Sequence, residues 1–260
     1  MNLRIVQVDA FADRPFTGNP AAVMPLDRWL PDEVLQAIAM ENNLSETAFT
    51  IPAADDEADY ELRWFTPATE VILCGHATLA SGHVLIGDKE RVRFRTRSAG
   101  MLEVARAEEG YAMTLPAWKP DPRPLPDVLA ALGVTGKATY WHALRYALVR
   151  FDDEDEILAL DPDFRALCAI GDILTICTAP GRNTDIVSRV FAAGAGIDED
   201  PVTGSAHSVS APYWAEQLGR DSFTAYQASR RGGHLTCRLD GDRVVLGGKC
   251  VTVLEGRLFL

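Results

Sequence analysis

The sequence lacks the features by which several common classes of protein are recognised. No window of 18 residues is apolar and free of charge, so no membrane-spanning helix is predicted. The 5 cysteines are odd in number and contain no Cys-x-x-Cys pair, which argues against a structural zinc site or a disulfide framework. Glycine-rich loops of the kinds that bind dinucleotides or nucleoside triphosphates are also absent.

Basic residues are in the minority. Against 37 Asp and Glu there are 25 Lys and Arg, which gives a formal net charge of −12 at pH 7. The overall field therefore repels nucleic acid and anionic membranes, and neither is expected as a partner. The first residues show no basic segment leading into an apolar stretch, so no signal peptide is expected. With the scattered cysteines, these features predict a cytoplasmic protein.

A short motif occurs twice. Residues 74–78 read Cys-Gly-His-Ala-Thr, and residues 203–207, 129 positions later, read Thr-Gly-Ser-Ala-His. Upstream, the pattern Asp-x-x-x-Arg-x-Phe of residues 59–65 recurs at 185–191. Solenoid repeats run to about 20–50 residues, so an offset near half the chain predicts two halves of one design.

The boundary between the halves is predicted in a proline-rich segment. Residues 116–126 contain five prolines, too many for the interior of a sheet or a helix. We therefore expect one domain over 1–118 and a second over 125–260. Each half reads as several strands with one long helix, beginning near 76 or 205, and this pattern predicts an α+β fold.

The repeated motif also suggests a binding site. Gly75 and Gly204 each precede a predicted helix, where backbone N–H groups and the helix dipole can bind an anion. Ser205 adds a hydroxyl group, and His76 adds a group that titrates near neutral pH. A single such glycine is usually only a helix cap, but two copies in matched halves favour a site for a small anion.

Two carboxylates are candidates for proton transfer or for holding a substrate. Glu46 enters an apolar strand; it is either an edge-strand charge or a partly buried group that takes and returns a proton near pH 7. Asp200 either belongs to a solvated turn or orients a group of the site. Cys74 is matched by Thr203 in the second copy, which argues against a racemase with two thiols.

These segments together resemble the PhzF family of phenazine biosynthesis-like isomerases. The strongest pieces lie at 8–11, 16–21, 44–49, 65–67, 70–80 and 198–207, in the same order as in the family. The resemblance runs nearly end to end and implies a diaminopimelate epimerase-like fold, in which each of two domains wraps a barrel-like sheet around a central helix. It further implies a homodimer without cofactor or metal.

The resemblance also implies roles for individual residues. The glutamate matching Glu46 shuttles a proton on a small carbocyclic acid, and residues matching His76 and Asp200 assist it. The remaining matches, expected to bind the substrate, are Asn19, Ser45, Gly75, Gly204 and Ser205. The characterised member isomerises trans-2,3-dihydro-3-hydroxyanthranilate.

We therefore expect a cofactor-free isomerase that moves a proton on a small unsaturated cyclic carboxylic acid. Two alternatives remain open from the sequence. One is an epimerase, racemase or dehydratase of a small amino or hydroxy acid that uses Cys74. The other is a protein that binds a small acid and has no catalytic activity.

Overall fold

The computed structural model describes residues 1–260, which form eighteen β-strands and six α-helices. The helices are α1 (Asp32–Asn42), α2 (Gly75–Leu85), α3 (Pro126–Ala131), α4 (Glu154–Leu158), α5 (Phe164–Ile170) and α6 (Gly204–Leu218). The strands are β1 (Asn2–Ala10), β2 (Asn19–Pro25), β3 (Glu46–Pro52), β4 (Tyr60–Phe65), β5 (Glu70–Val71), β6 (Arg91–Thr96), β7 (Met101–Ala107), β8 (Gly110–Pro116), β9 (Asp121–Pro122), β10 (Ala138–His142), β11 (Tyr146–Arg150), β12 (Leu174–Pro180), β13 (Ile186–Ala192), β14 (Ile197–Asp200), β15 (Ser222–Gln227), β16 (Gly233–Asp240), β17 (Arg243–Gly248) and β18 (Cys250–Phe259).

The chain divides into two compact units. Unit 1 comprises Met1–Thr114 together with Gly247–Leu260, and unit 2 comprises Leu115–Leu246. The C-terminal segment lies in unit 1 because β18 pairs antiparallel with β1 along the whole length of that strand. The units therefore differ from the predicted division into 1–118 and 125–260, which placed this segment in the second domain. Part of the proline-rich segment is also ordered, since β9 pairs with β10.

In unit 1 the central element is α2. It packs against β1, β2, β3, β6, β7 and β18, and its first eight residues are all buried. A helix that is covered on every side has no polar face, and small residues allow strands to approach it closely. At Gly82 an added Cβ would collide with the side chain of Val104.

In unit 2 the corresponding element is α6, which packs against β11, β12 and β16. Pro212 lies inside this helix and has no N–H group to donate to the carbonyl of Ser208, four residues earlier. That carbonyl instead accepts a hydrogen bond of 2.8 Å from the backbone N–H of Trp118. Because Pro212 cannot donate to it, the carbonyl of Ser208 is available for this hydrogen bond, which links the segment before β9 to α6.

The repeated Asp-x-x-x-Arg-x-Phe pattern has the same structural role in both units. In unit 1, Arg63 on β4 binds both oxygens of Glu70, each at 2.7 Å. In unit 2, Arg189 on β13 binds both oxygens of Glu199, at 2.7 and 3.0 Å. Strand pairing repeats as well, because β4 runs parallel to β6 and β13 runs parallel to β15. The α+β pattern predicted for each half is therefore observed.

Candidate active site

The starts of three elements bring the predicted residues of unit 1 together. Glu46 is the first residue of β3, which runs parallel to β2 with Ala21 opposite Glu46. Asn19 begins β2 and directly follows Gly18, whose φ of +64° and close approach to the carbonyl oxygen of Ala10 require glycine. His76 is the second residue of α2. Residues distant in sequence therefore meet because their elements begin at one end of the unit.

His76 is the centre of this cluster. Its Nε2 lies 3.0 Å from Oε2 of Glu46. Its Nδ1 lies 3.1 Å from Nδ2 of Asn19 and 3.5 Å from Sγ of Cys74. The side chain of Glu46 is 14% exposed and that of His76 is 4% exposed. The carboxylate is therefore the member of the pair that a ligand can reach.

Burial and neighbouring groups change the proton affinities in this cluster. Burial alone would lower the pKa of His76, but the adjacent Cys74 and Glu46 outweigh it and raise that pKa well above the usual value. Burial raises the pKa of the Cys74 thiol to about 11. At neutral pH the thiol of Cys74 is therefore neutral.

Unit 2 contains a second cluster, at the start of α6. The hydroxyl of Thr203 donates to Oδ2 of Asp200 at 2.5 Å. Gln227, at the end of β15, is fully buried and donates from Nε2 to the carbonyl of Asp200 at 2.7 Å and to Oγ1 of Thr203 at 3.1 Å. Its Oε1 accepts from the backbone N–H of Thr203 at 2.8 Å. Because Gln227 donates to the hydroxyl oxygen, the hydroxyl proton is directed to Asp200.

The first residues of α6 are Gly204 and Ser205. Thr203 is the N-cap residue, but its side chain makes no capping hydrogen bond to this helix. Ser205 is half-buried and forms a hydrogen bond with the hydroxyl of Tyr146, which is the first residue of β11. This helix start therefore presents its positive dipole end beside two hydroxyl groups.

The structure places the predicted residues in two groups, one in each unit. In unit 1, Asn19, Glu46 and His76 are in contact, Gly75 begins α2, and the half-buried Ser45 directly precedes β3. In unit 2, Asp200 ends β14, and Gly204 and Ser205 begin α6. Asn19, predicted to bind substrate, is fully buried, and its amide contacts His76. The catalytic and binding roles of all these residues remain predictions.

Two residues with contacts in the clusters were missed by the sequence analysis. Gln227 and Tyr146 belong to no motif, and their partners lie 24 or more positions away in the chain. A glutamine at the end of a strand and a tyrosine at the start of one carry no local signal of such contacts. Only the strand register of unit 2 could have revealed them.

The two units differ at the position of Glu46. Glu46 precedes Thr47, which lies opposite Phe65, and Leu174 precedes Thr175, which lies opposite Phe191. Leu174 is therefore the structural equivalent of Glu46 in unit 2. Of these two positions, only the one in unit 1 holds a group that can transfer a proton.

Comparison with known proteins agrees with this geometry. The family model for phenazine biosynthesis-like proteins (PhzC-PhzF) matches residues 8–256. The chain belongs to this family. An uncharacterized isomerase of Pseudomonas aeruginosa is 51% identical to it, with both chains covered completely. This relative and the family confirm the enzyme class predicted from the sequence, an isomerase.

Solved structures confirm the fold. A PhzF family protein of Enterococcus faecalis is 43% identical and superimposes with a TM-score of 0.92, with both chains covered completely. A predicted epimerase of P. aeruginosa, at 23% identity and a TM-score of 0.77 over 99% of both chains, shares the fold. The predicted class, α+β and diaminopimelate epimerase-like, is therefore confirmed. None of the helices is long and apolar enough to span a membrane.

Proposed function

We propose that this protein is a cofactor-free isomerase that moves a proton on a small unsaturated cyclic carboxylic acid, with Glu46 as the group that carries the proton. One observation carries the proposal. The partly exposed carboxylate of Glu46 lies 3.0 Å from the buried ring of His76. A carboxylate held beside a buried histidine, and itself accessible to a ligand, suits the role of a general base and then a general acid.

The proposed reaction needs only one proton-transfer group. Glu46 removes a proton from one carbon of the substrate, and the electron pair of that C–H bond shifts the double bond. The protonated Glu46 then returns the proton to another carbon on the same face. No atom is gained or lost overall, and the double bond moves. The absence of a second carboxylate at Leu174 supports a shift that remains on one face of the substrate.

His76 is proposed to hold Glu46 in position. A ring nitrogen of His76, 3.0 Å from the carboxylate, holds the ionised base in place before the proton is removed. Because His76 is buried under Glu46, its contribution is to position and stabilise the base, and Asn19 holds the opposite side of the ring. This arrangement keeps one carboxylate oxygen bound and directs the other toward the ligand.

The remaining roles follow from the family resemblance. The helix starts at Gly75 and Gly204, with the hydroxyl of Ser205, are proposed to bind acidic groups of the substrate. Ser45 is proposed to bind a polar group of the substrate, and Asp200, oriented by Thr203, is proposed to assist the proton transfer. These proposals imply that small carboxylic acids bind and that neutral analogues bind more weakly.

The substitution Glu46→Gln tests the proposal. A panel of cyclohexadiene and related cyclic carboxylic acids would be incubated with the protein in D2O, and isomerisation and deuterium uptake would be followed by NMR. The variant should lower the rate by roughly 10²–10⁴-fold, the usual range for a general acid–base group. Glu41→Gln, which changes an exposed glutamate of α1, is the matched control and should leave the rate unchanged. Normal turnover by the Glu46 variant would refute its role.

The same experiment separates the two alternatives. An epimerase or dehydratase that uses Cys74 should lose turnover in Cys74→Ala, whereas the proposed isomerase should retain most of it. The thiol's pKa of about 11 makes Cys74 a poor base at neutral pH. A protein that only binds small acids should bind members of the panel and exchange no substrate proton.

A further inference from the structure

The last strand of unit 1 has an edge that pairs with no other strand. β18 is 10 residues long and pairs antiparallel with β1 alone. The backbone N–H and C=O groups of successive residues point to opposite edges of a strand, so about half of those in β18 face away from β1. An uncovered edge of this kind is a template for pairing with another chain.

Large apolar side chains are exposed on the same pair of strands. Leu254, Phe259 and Leu260 are 50%, 74% and 55% exposed, and Met1 is 60% exposed. Met1 is close to the C-terminus, because its carbonyl accepts a hydrogen bond of 2.9 Å from the N–H of Leu260. Single exposed apolar residues are ordinary, but several on one element mark an interaction surface.

The charged residues of β18 indicate which chain fits this edge. Glu255 and Arg257 flank Gly256, and they project from the same face because alternate residues of a strand share a face. Arg257 lies directly opposite Arg4 on β1, and Arg4 pairs with Glu255 at 2.9 Å. Like charges directly opposite each other are destabilising, and Arg257 forms no ion pair within the chain. A chain that covers this edge should therefore bring a carboxylate to Arg257.

We propose that a second copy of this chain pairs antiparallel with β18, about a two-fold axis that passes through Gly256. In this register Glu255 of each copy lies opposite Arg257 of the partner subunit, and Leu254 lies opposite Leu258. An axis through residue 255 or 257 would instead place Glu255 or Arg257 opposite its own copy, and the like charges disfavour both registers. The same surface is used by both copies, so the interface closes at two. The proposal does not depend on the reaction that the protein catalyses.

Sedimentation equilibrium of the complete protein tests the proposal. We expect a particle of twice the chain mass of 28.4 kDa. Glu255→Arg and Arg257→Glu each place like charges opposite one another twice across the axis, and each should weaken the dimer at least tenfold. The double variant Glu255→Arg/Arg257→Glu restores opposite charges and should regain most of the affinity. Glu108→Arg, which changes an exposed glutamate elsewhere in unit 1, is the matched control and should remain dimeric.

Hydrogen exchange of backbone amides locates the interface. The N–H groups of residues 254–258 that face away from β1 should exchange slowly in concentrated wild-type protein and faster on dilution or in Arg257→Glu. Circular dichroism verifies that the variants are folded, and if one does not fold, the concentration dependence in the wild type decides. A monomeric wild-type protein, a dimer that neither single reversal weakens, or exchange at residues 254–258 that is independent of concentration would overturn the proposal.

Discussion

Gln227 makes three hydrogen bonds that hold Asp200 and Thr203 in one arrangement, and its loss should have a measurable cost. The substitution Gln227→Met keeps the length of the side chain and removes its amide. The backbone N–H of Thr203 would then lose its acceptor, and the carbonyl of Asp200 would lose a donor. The hydroxyl of Thr203 would lose the donor that directs its proton.

The magnitude follows from the number of bonds lost. A neutral hydrogen bond contributes about 0.5–1.5 kcal/mol to stability, and a buried group left without a partner costs about 1–3 kcal/mol. Three bonds around a fully buried side chain therefore give a loss of about 2–4 kcal/mol. Measured against the total stability of about 5–15 kcal/mol typical of folded proteins, this change is large but leaves the chain folded.

A thermal unfolding scan provides the assay. About 2–4 kcal/mol corresponds to a fall in Tm of about 5–15 °C for a unit of this size. Gln217→Met is the matched control, because Gln217 is an exposed residue of the same unit, and it should shift the Tm by less than about 2 °C. If the Gln227 variant unfolded at the wild-type temperature, the three bonds would be energetically unimportant and the argument for this residue would fail.

Two further predictions concern unit 1. A bidentate contact with Arg63 holds the pKa of Glu70 below its usual value of 4.5, so the pair stabilises the fold above that pH and is lost as the pH falls through the lowered pKa. In Glu70→Gln, the Tm should therefore be lower at pH 7 and should change less between pH 5 and 3 than in the wild type. For the substitution Gly18→Ala, a methyl group would collide with the carbonyl of Ala10 at a positive φ, so urea unfolding should show a loss of about 2–4 kcal/mol. Gly87→Ala, also at positive φ but with open space around it, should cost about 1 kcal/mol, and equal losses would contradict the role of the collision.

Part of this fold could be predicted from local patterns. The helices expected from about 76 and 205 begin at Gly75 and Gly204, because a small residue before an apolar segment marks a helix start. Residues 60–65, whose composition favours a strand, form β4. These elements were predictable because their apolar periodicity continues over several residues, which is the main signal of secondary structure in a sequence.

Other elements could not be predicted in the same way. β2 begins at Asn19, in a segment whose Gly, Asn and Pro content is typical of a loop. The strand exists because it pairs with β1 on one side and β3 on the other, and these contacts are distant in sequence. The helices α4 and α5 have 5 and 7 residues, too short for a periodic pattern to be recognised. The pairing of β18 with β1 joins the two ends of the chain and leaves no local signal.

For the candidate site, the sequence predicted the residue types better than their contacts. The motifs identified Glu46 and His76 as candidates, but the residues lie 30 positions apart, and their 3.0 Å contact depends on where β3 and α2 begin. Similarly, Asp200 was identified as a candidate, whereas Gln227, which orients it, follows from the register of β15. A carboxylate in a motif shows that chemistry is possible, and its neighbours in space determine which reaction the group can support.

The two units carry different side chains at the positions equivalent to Glu46, Cys74 and His76, and this difference limits the reactions that the protein can catalyse. A repeat that kept identical residues in both halves would supply two proton-transfer groups, the arrangement that suits removal of a proton from one face and its return on the other. Here the equivalents of Glu46, Cys74 and His76 are Leu174, Thr203 and Ser205. Unit 1 therefore has a carboxylate, a thiol and an imidazole at positions where unit 2 has an aliphatic side chain and two hydroxyls. The proposed shift along one face of the substrate needs only one proton-transfer group, Glu46, whereas a racemase built on a symmetric pair of groups would need a matching one at Leu174.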